Sequence, residues 1–216
     1  QMKNNFKIYF LIIIFFLSFT GKSFTQIDNS IIITVGNSPI TKLDLLNEIK
    51  LIAILSNTEI NQSNKEQIKG LAIKSLIKRN IKKGEIKKRN IEKYNNRQLD
   101  VMLNSASKKL GLDKTGLKNL LAGHNLSYNS LINRFMVDLK WNYMIFQMYK
   151  NKISLNTIEI ENKMNAFIAS SKNVNKQDDI KSIKDKIVNE EKEKKLIMFS
   201  NLHYSNLERS VQIKFL

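Results

Sequence analysis

Apolar positions recur at three-and-four spacing along most of the chain, the pattern of helices with one buried face. Thr41 starts the first, with Asp44 three residues on to answer the free amides of its opening turn. Leu45, Leu46, Ile49, Ile52 and Ala53 then share one side. Ser63 with Glu66 repeats the device ahead of Ile68, Leu71, Ala72, Leu76, Ile77 and Ile81. A third helix runs from Asn95 or Asn96 through Leu99, Met102, Leu103, Ala106 and Leu110, and Gly111 stands where a left-handed cap ends it. Asp113 opens a short fourth with Leu117, Leu120 and Leu121, and Gly123 is expected to end it in the same way. Ser127 opens the longest, about 128–152, and Asn156 with Glu159 opens the next, through Ile160, Met164, Phe167 and Ile168. A last helical stretch starts near Ile180. It crosses a solvated charge run in which Glu190 and Glu191 precede Lys194 and Lys195 at the favourable spacing.

Only the two ends depart from this period. Residues 31–35, Ile-Ile-Ile-Thr-Val, are β-branched throughout, and Gly36-Asn37-Ser38 follows as a turn with at most a short return strand at Pro39-Ile40. At the other end Val211, Ile213 and Phe215 alternate with polar residues. A lone strand leaves its backbone groups unpaired, so the economical solution pairs 31–35 with 210–215 and closes the helices into one domain. The predicted class is mainly α, a helical domain with a small antiparallel β element joining the N-terminal and C-terminal strands. Residues 24–170 form its larger part, the small and polar stretch 171–179 is a linker, and 180–216 complete the same domain.

The first 23 residues read as an address. A basic start at 2–7 is followed by an uninterrupted apolar run at 8–19, short for a bilayer-spanning helix, which needs about 20 residues. Gly21-Lys22-Ser23 places small residues for cleavage after Ser23, as in a secretory signal peptide. Export from the cytoplasm follows, the alternative being an uncleaved inner-membrane signal anchor.

The chain carries 36 Lys and Arg against 19 Asp and Glu, a formal net charge of +17. Such a field attracts anionic partners: acidic polypeptide, an anionic membrane surface or nucleic acid. The abundance of Lys beside Ile and Asn is equally a matter of composition. Lys78-Arg79, Lys82-Lys83 and Lys87-Lys88-Arg89 crowd one helix end, where cations favour the helix dipole. No groove-reading motif accompanies them, which argues against nucleic acid. A basic nucleic-acid-binding protein or a structural envelope protein stays as the alternative reading. There is no cysteine, hence no disulfide, thiol nucleophile or Cys-based zinc site. His124 and His203 stand alone, the glycines are scattered as helix ends, and no nucleophile elbow occurs. No catalytic residue, metal or cofactor is expected.

The stretch 128–152 is apolar nearly all round, so it must be covered on most sides. It is either the central core helix or a helix that lends part of its surface to an open groove. Methionine is flexible and polarizable, and Met-rich surfaces repack around varied apolar sequences. On the groove reading, Met102, Met136, Trp141, Met144, Met148 and Phe167 are the candidate client-binding residues.

The opening Ile-Ile-Ile-Thr-Val-Gly-Asn-Ser-Pro-Ile-Thr at 31–41 resembles the start of mature SurA-family chaperones. Residues 68–92, the Leu-Asp-Lys-Thr-Gly-Leu-Lys-Asn-Leu-Leu segment at 112–121, the Leu-Ser-Tyr-Asn-Ser-Leu-Ile at 126–132 and the long helix after it continue the likeness in order. The tail from about Leu202 is similar to that family's C-terminal helix and closing strand. The resemblance implies a periplasmic holdase that keeps unfolded outer-membrane or exported proteins soluble. The family's parvulin-type isomerase domains are inserted before the C-terminal helix, where this chain has only a short linker. The resemblance therefore implies binding without prolyl isomerisation.

Overall fold

The computed structural model describes residues 29–170 and 177–216. The expected signal peptide and most of the expected linker lie outside the described residues. The chain opens with a hairpin of β1 (Ile31–Val35) and β2 (Ser38–Thr41), turned at Gly36 with φ +55°. Seven helices follow among the described residues: α1 (Lys42–Ser56), α2 (Lys65–Lys88), α3 (Asn96–Lys109), α4 (Lys114–Gly123), α5 (Tyr128–Tyr149), α6 (Thr157–Ser170) and α7 (Gln177–Ser210). The chain returns as β3 (Ile213–Phe215). The sheet order is β2-β1-β3, antiparallel throughout, with Ile33 opposite Phe215 and Val35 opposite Ile213. The two ends of the described chain thus pair as the alternation predicts, and the fold is mainly α with a small sheet.

Local chemistry sets most boundaries. Thr41 and Asp44 form a reciprocal cap on α1: the Asp44 N–H donates to the Thr41 hydroxyl at 3.2 Å, and the Thr41 N–H donates to the Asp44 carboxylate at 2.9 Å. Asn95 and Asp113 accept the amides of Gln98 and Gly116 at the starts of α3 and α4. The predicted start of α2 at Ser63 is corrected to Asn64. The Asn61 carboxamide oxygen accepts both the N–H and the hydroxyl of Ser63, so Ser63 is spent in the preceding turn. The last helix begins at Gln177, earlier than the apolar pattern indicates.

Helix α4 also corrects an expectation. Gly123 is its last helical residue, and Asn125 takes the left-handed conformation at φ 58°. The Leu126 N–H reaches the Leu121 carbonyl at 2.9 Å, and both leucines are buried in one cluster. That contact across the cap fixes which residue must turn left-handed. Asn57 and Asn90 close α1 and α2 by the same geometry, and Gly111 closes α3.

The core has three connected parts. Ile33, Val35 and Ile40 of the sheet meet Leu45 of α1 and Ala72, Leu76, Ile77 and Ile81 of α2. Leu51, Leu103, Leu117, Leu121, Leu126 and Leu131 join α1, α3, α4 and α5. Ile86, Val137, Trp141, Met144 and Ile145 form the third, under Leu196 and Leu207 of α7. Helix α5 takes part in the last two, so it is the central helix. Helix α6 packs chiefly on the first half of α7 as a two-helix arm. Ile160 and Ile187 are buried there, and Lys163 donates to both Glu159 and Glu191.

Candidate binding surfaces

The structure divides the six residues expected to line one groove. Trp141 and Met144 are each 1% exposed and belong to the core. Helices α2 and α7 cover that face of α5, and the Trp141 indole N–H donates to the Ser200 hydroxyl on α7 at 2.8 Å. In this conformation both side chains belong to the core, the first of the two places the sequence left open for this helix. Met148 packs half-buried on the edge of the same cluster, and Met136 is half-buried on α5. Phe167 is 43% exposed on α6, away from the central helix. Met102 lines an open groove.

That groove lies between α3, the end of α1 and α5, with a volume of about 410 Å³. Its wall on α3 is Gln98, Val101, Met102, Ser105, Ala106 and Lys109, which recur at helical spacing. Leu55 and Phe135 complete it from α1 and α5. The floor is apolar and the one charged lining residue is Lys109. Val101 is nearly half exposed. The sequence signal was present: Val101 lies outside the face that buries Leu103 and Ser107.

A second groove, of about 500 Å³, opens where the ends of α1, α3 and α4 converge. Ala53, Ile54, Leu110 and Leu120 supply apolar walls, and Ile60 of the loop after α1 stands exposed at its edge. Lys50 crosses it to donate to the His124 carbonyl at 3.2 Å. Sequence reading missed this groove because it is assembled from helix ends far apart in the chain. A lone Ile60 in a polar loop was its only local trace. Further apolar side chains stand exposed on the arm (Ile158), on α7 (Ile197, Met198 and Leu202) and at β3 (Phe215 and Leu216).

The charges are less free than their number suggests. Glu48, 3% exposed, receives Arg79 at 2.6 Å and Arg134 at 2.7 Å. Lys82 pairs with Asp138 at 2.6 Å, and Arg89 pairs with Glu85. Three of the cations crowded at and just past the end of α2 therefore serve the fold. Burial pushes the Glu85 carboxyl up, but the hydrogen bond and charge of Arg89, with His203 and Lys88 near it, hold it below the usual value. His203 sits between Glu85 and Tyr149, its Nε2 3.4 Å from the carboxylate and its Nδ1 3.1 Å from the phenol oxygen. Among the described residues no group of three or more His, Cys, Asp or Glu is placed to hold a metal ion. No described helix is long and apolar enough to cross a membrane.

Fold and surfaces together define a mainly helical scaffold, closed by a small sheet, with solvent-open apolar grooves. Among solved structures it is similar to a chain from work on the virulence factor PEB4 and the periplasmic protein Cj1289, two structurally related SurA-like chaperones of Campylobacter jejuni. The identity is 15% over 87% of this chain and 99% of that one, with a TM-score of 0.42. No protein-family profile and no curated protein matches the sequence.

Proposed function

We propose that this chain is a periplasmic holdase, which binds unfolded outer-membrane or exported polypeptides reversibly and does not isomerise their prolyl bonds. The observation that carries the reading is the open groove of Leu55, Val101, Met102, Ala106 and Phe135, an apolar floor beside a single lysine. A methionine and an aromatic ring offer contact area that adapts to different side chains. The exposed apolar residues of the arm and of α7 add surface that an extended chain can follow. The ordered resemblance of the sequence to SurA-family chaperones supports the same reading, as does the signal-peptide pattern of residues 2–23. Between Ser170 and Gln177 there is no room for a catalytic domain of the usual size, about 50–250 residues.

The test is light scattering of an unfolded outer-membrane protein diluted from denaturant. Near-stoichiometric amounts of this chain suppress its aggregation, and the rate of prolyl isomerisation in a proline-limited folding substrate stays unchanged. Val101→Asp, at an exposed position on the groove wall, weakens the suppression while the helical circular dichroism is retained. No suppression by the unaltered chain rules the holdase reading out.

A further inference from the structure

Between α2 and α5 lies a third cavity, of about 180 Å³, lined by Ser75, Lys78, Arg79, Lys82, Arg134 and Asp138. No apolar side chain lines it. Its wall carries four cations, and the carboxylates that meet them are Asp138 in the wall and Glu48 behind it. Four positive charges less two negative ones leave a local excess of +2.

The cations are held in place, and their hydrogen-bonding capacity is only partly used. Glu48 receives Arg79 through Nη2 and Arg134 through Nη1, and Ser75 takes a further bond from Arg79 at 3.3 Å. A guanidinium has five N–H donors, so each arginine keeps donors beyond those given to Glu48 and Ser75. Lys82 is fixed by Asp138 at 2.6 Å and by the Trp141 ring, whose centroid is 5.6 Å away. Lys78 has no carboxylate partner among the described residues, and its ammonium lies 5.4 Å over the ring of Tyr204 on α7. The field is felt nearby: burial first, and the charge of Arg79 second, lower the pKa of Lys83.

We propose that this cavity is an oxyanion site for a dianionic phosphate group, held by Lys78 and by the unused donors of Arg79 and Arg134. Two negative charges match the local excess. The volume equals that of about six waters of liquid, room for one tetrahedral oxyanion with some of its hydration. Planar guanidinium forks suit phosphate oxygens, and Glu48 sets both forks before the ligand arrives. The bound group would join α2 to α5 and, through Lys78 and Tyr204, bring α7 into the same contact. The phosphate can be the free ion or a phosphomonoester headgroup such as that of phosphatidic acid.

Calorimetric titration of the full chain with inorganic phosphate, at ionic strength held constant with chloride, tests the site. Saturable one-to-one binding with Kd below about 10 mM is expected, together with a phosphate-dependent rise in Tm. Lys78→Ala, at an exposed position, weakens binding about tenfold, the worth of one charge-assisted hydrogen bond, whereas Lys118→Ala, at an exposed position on α4, leaves it unchanged. Should Lys78→Ala not fold, the Tm rise of the unaltered chain in phosphate over chloride decides. Co-sedimentation with phosphatidylcholine vesicles containing phosphatidic acid, competed by free phosphate, identifies the headgroup as the source. Phosphate binding without co-sedimentation identifies the free ion. Absence of saturable binding, or equal affinity in Lys78→Ala, overturns the proposal.

Discussion

Glu48 illustrates how single residues decide this fold. It is buried on α1, yet it receives two guanidinium groups from two other helices and the hydroxyl of Ser75 at 2.7 Å. Removing its charge leaves Arg79 and Arg134 facing each other with no counter-ion between them. Breaking a buried pair costs about 3–5 kcal/mol, and both arginines keep some access to water, which places Glu48→Gln near the lower end, about 3 kcal/mol. A urea titration followed by circular dichroism measures this as a shift of the midpoint. The left-handed caps are a second test at this scale. Asn90 ends α2 at φ 53°, where its short polar side chain is tolerated and a methyl group is not. Asn90→Ala should cost about 1 kcal/mol, and Asn90→Gly should lose less than half of that. Equal losses in the two variants would mean that the cap carries no conformational strain.

Among the elements, the two-helix arm is tied by few contacts, so its charges count for more. Hydrogen bonds from Lys163 and Lys194, with their charges, hold the Glu191 carboxyl down to about 2. A depressed carboxylate stabilises the folded form in full above its ordinary value near 4.5, and that stabilisation fades as the pH falls toward 2. Glu191→Gln should therefore lower Tm at pH 6, and the gap to the unaltered chain should close between pH 4.5 and 2. A gap that persists at pH 2 would assign the loss to packing instead of charge. The elements themselves were largely legible in the sequence, because their signals are local. The Thr41–Asp44 cap, the Asn95 and Asp113 caps, Gly111 and the two terminal strands all depend on residues within a few positions or on a simple alternation. What was not legible depends on partners distant in the chain. Leu126 packing on Leu121 put the left-handed residue that closes α4 at Asn125 instead of Gly123. Which side of α5 is sealed was set by α2 and α7, so Trp141 and Met144 went to the core while Phe135 reached a groove. Periodicity shows that a helix is apolar nearly all round; it does not show which neighbour arrives to cover each side.

For the molecule as a whole, the excess of +17 is the property that no local rule of folding requires. Among the described residues Lys69, Arg79, Lys82, Arg89, Lys114, Arg134, Lys163 and Lys194 are engaged by carboxylates. Most of the other basic residues among those described are in no such pair and set the outer field. A field of one sign acts on encounter over a Debye length, about 10 Å at 0.1 M salt and about 3 Å at 1 M, whereas apolar contact in a groove is not screened. The two contributions to client capture should therefore separate by rate. With an acidic unfolded client, stopped-flow association should slow by about tenfold between 0.05 and 0.5 M salt. The dissociation rate, which on the holdase reading depends on the groove beside Met102 and Phe135, should change little. A basic client of the same length should associate more slowly at low salt and lose that handicap as salt rises. If both clients showed the same salt dependence, the surface charge would have no part in choosing partners, and selection would rest on apolar fit alone.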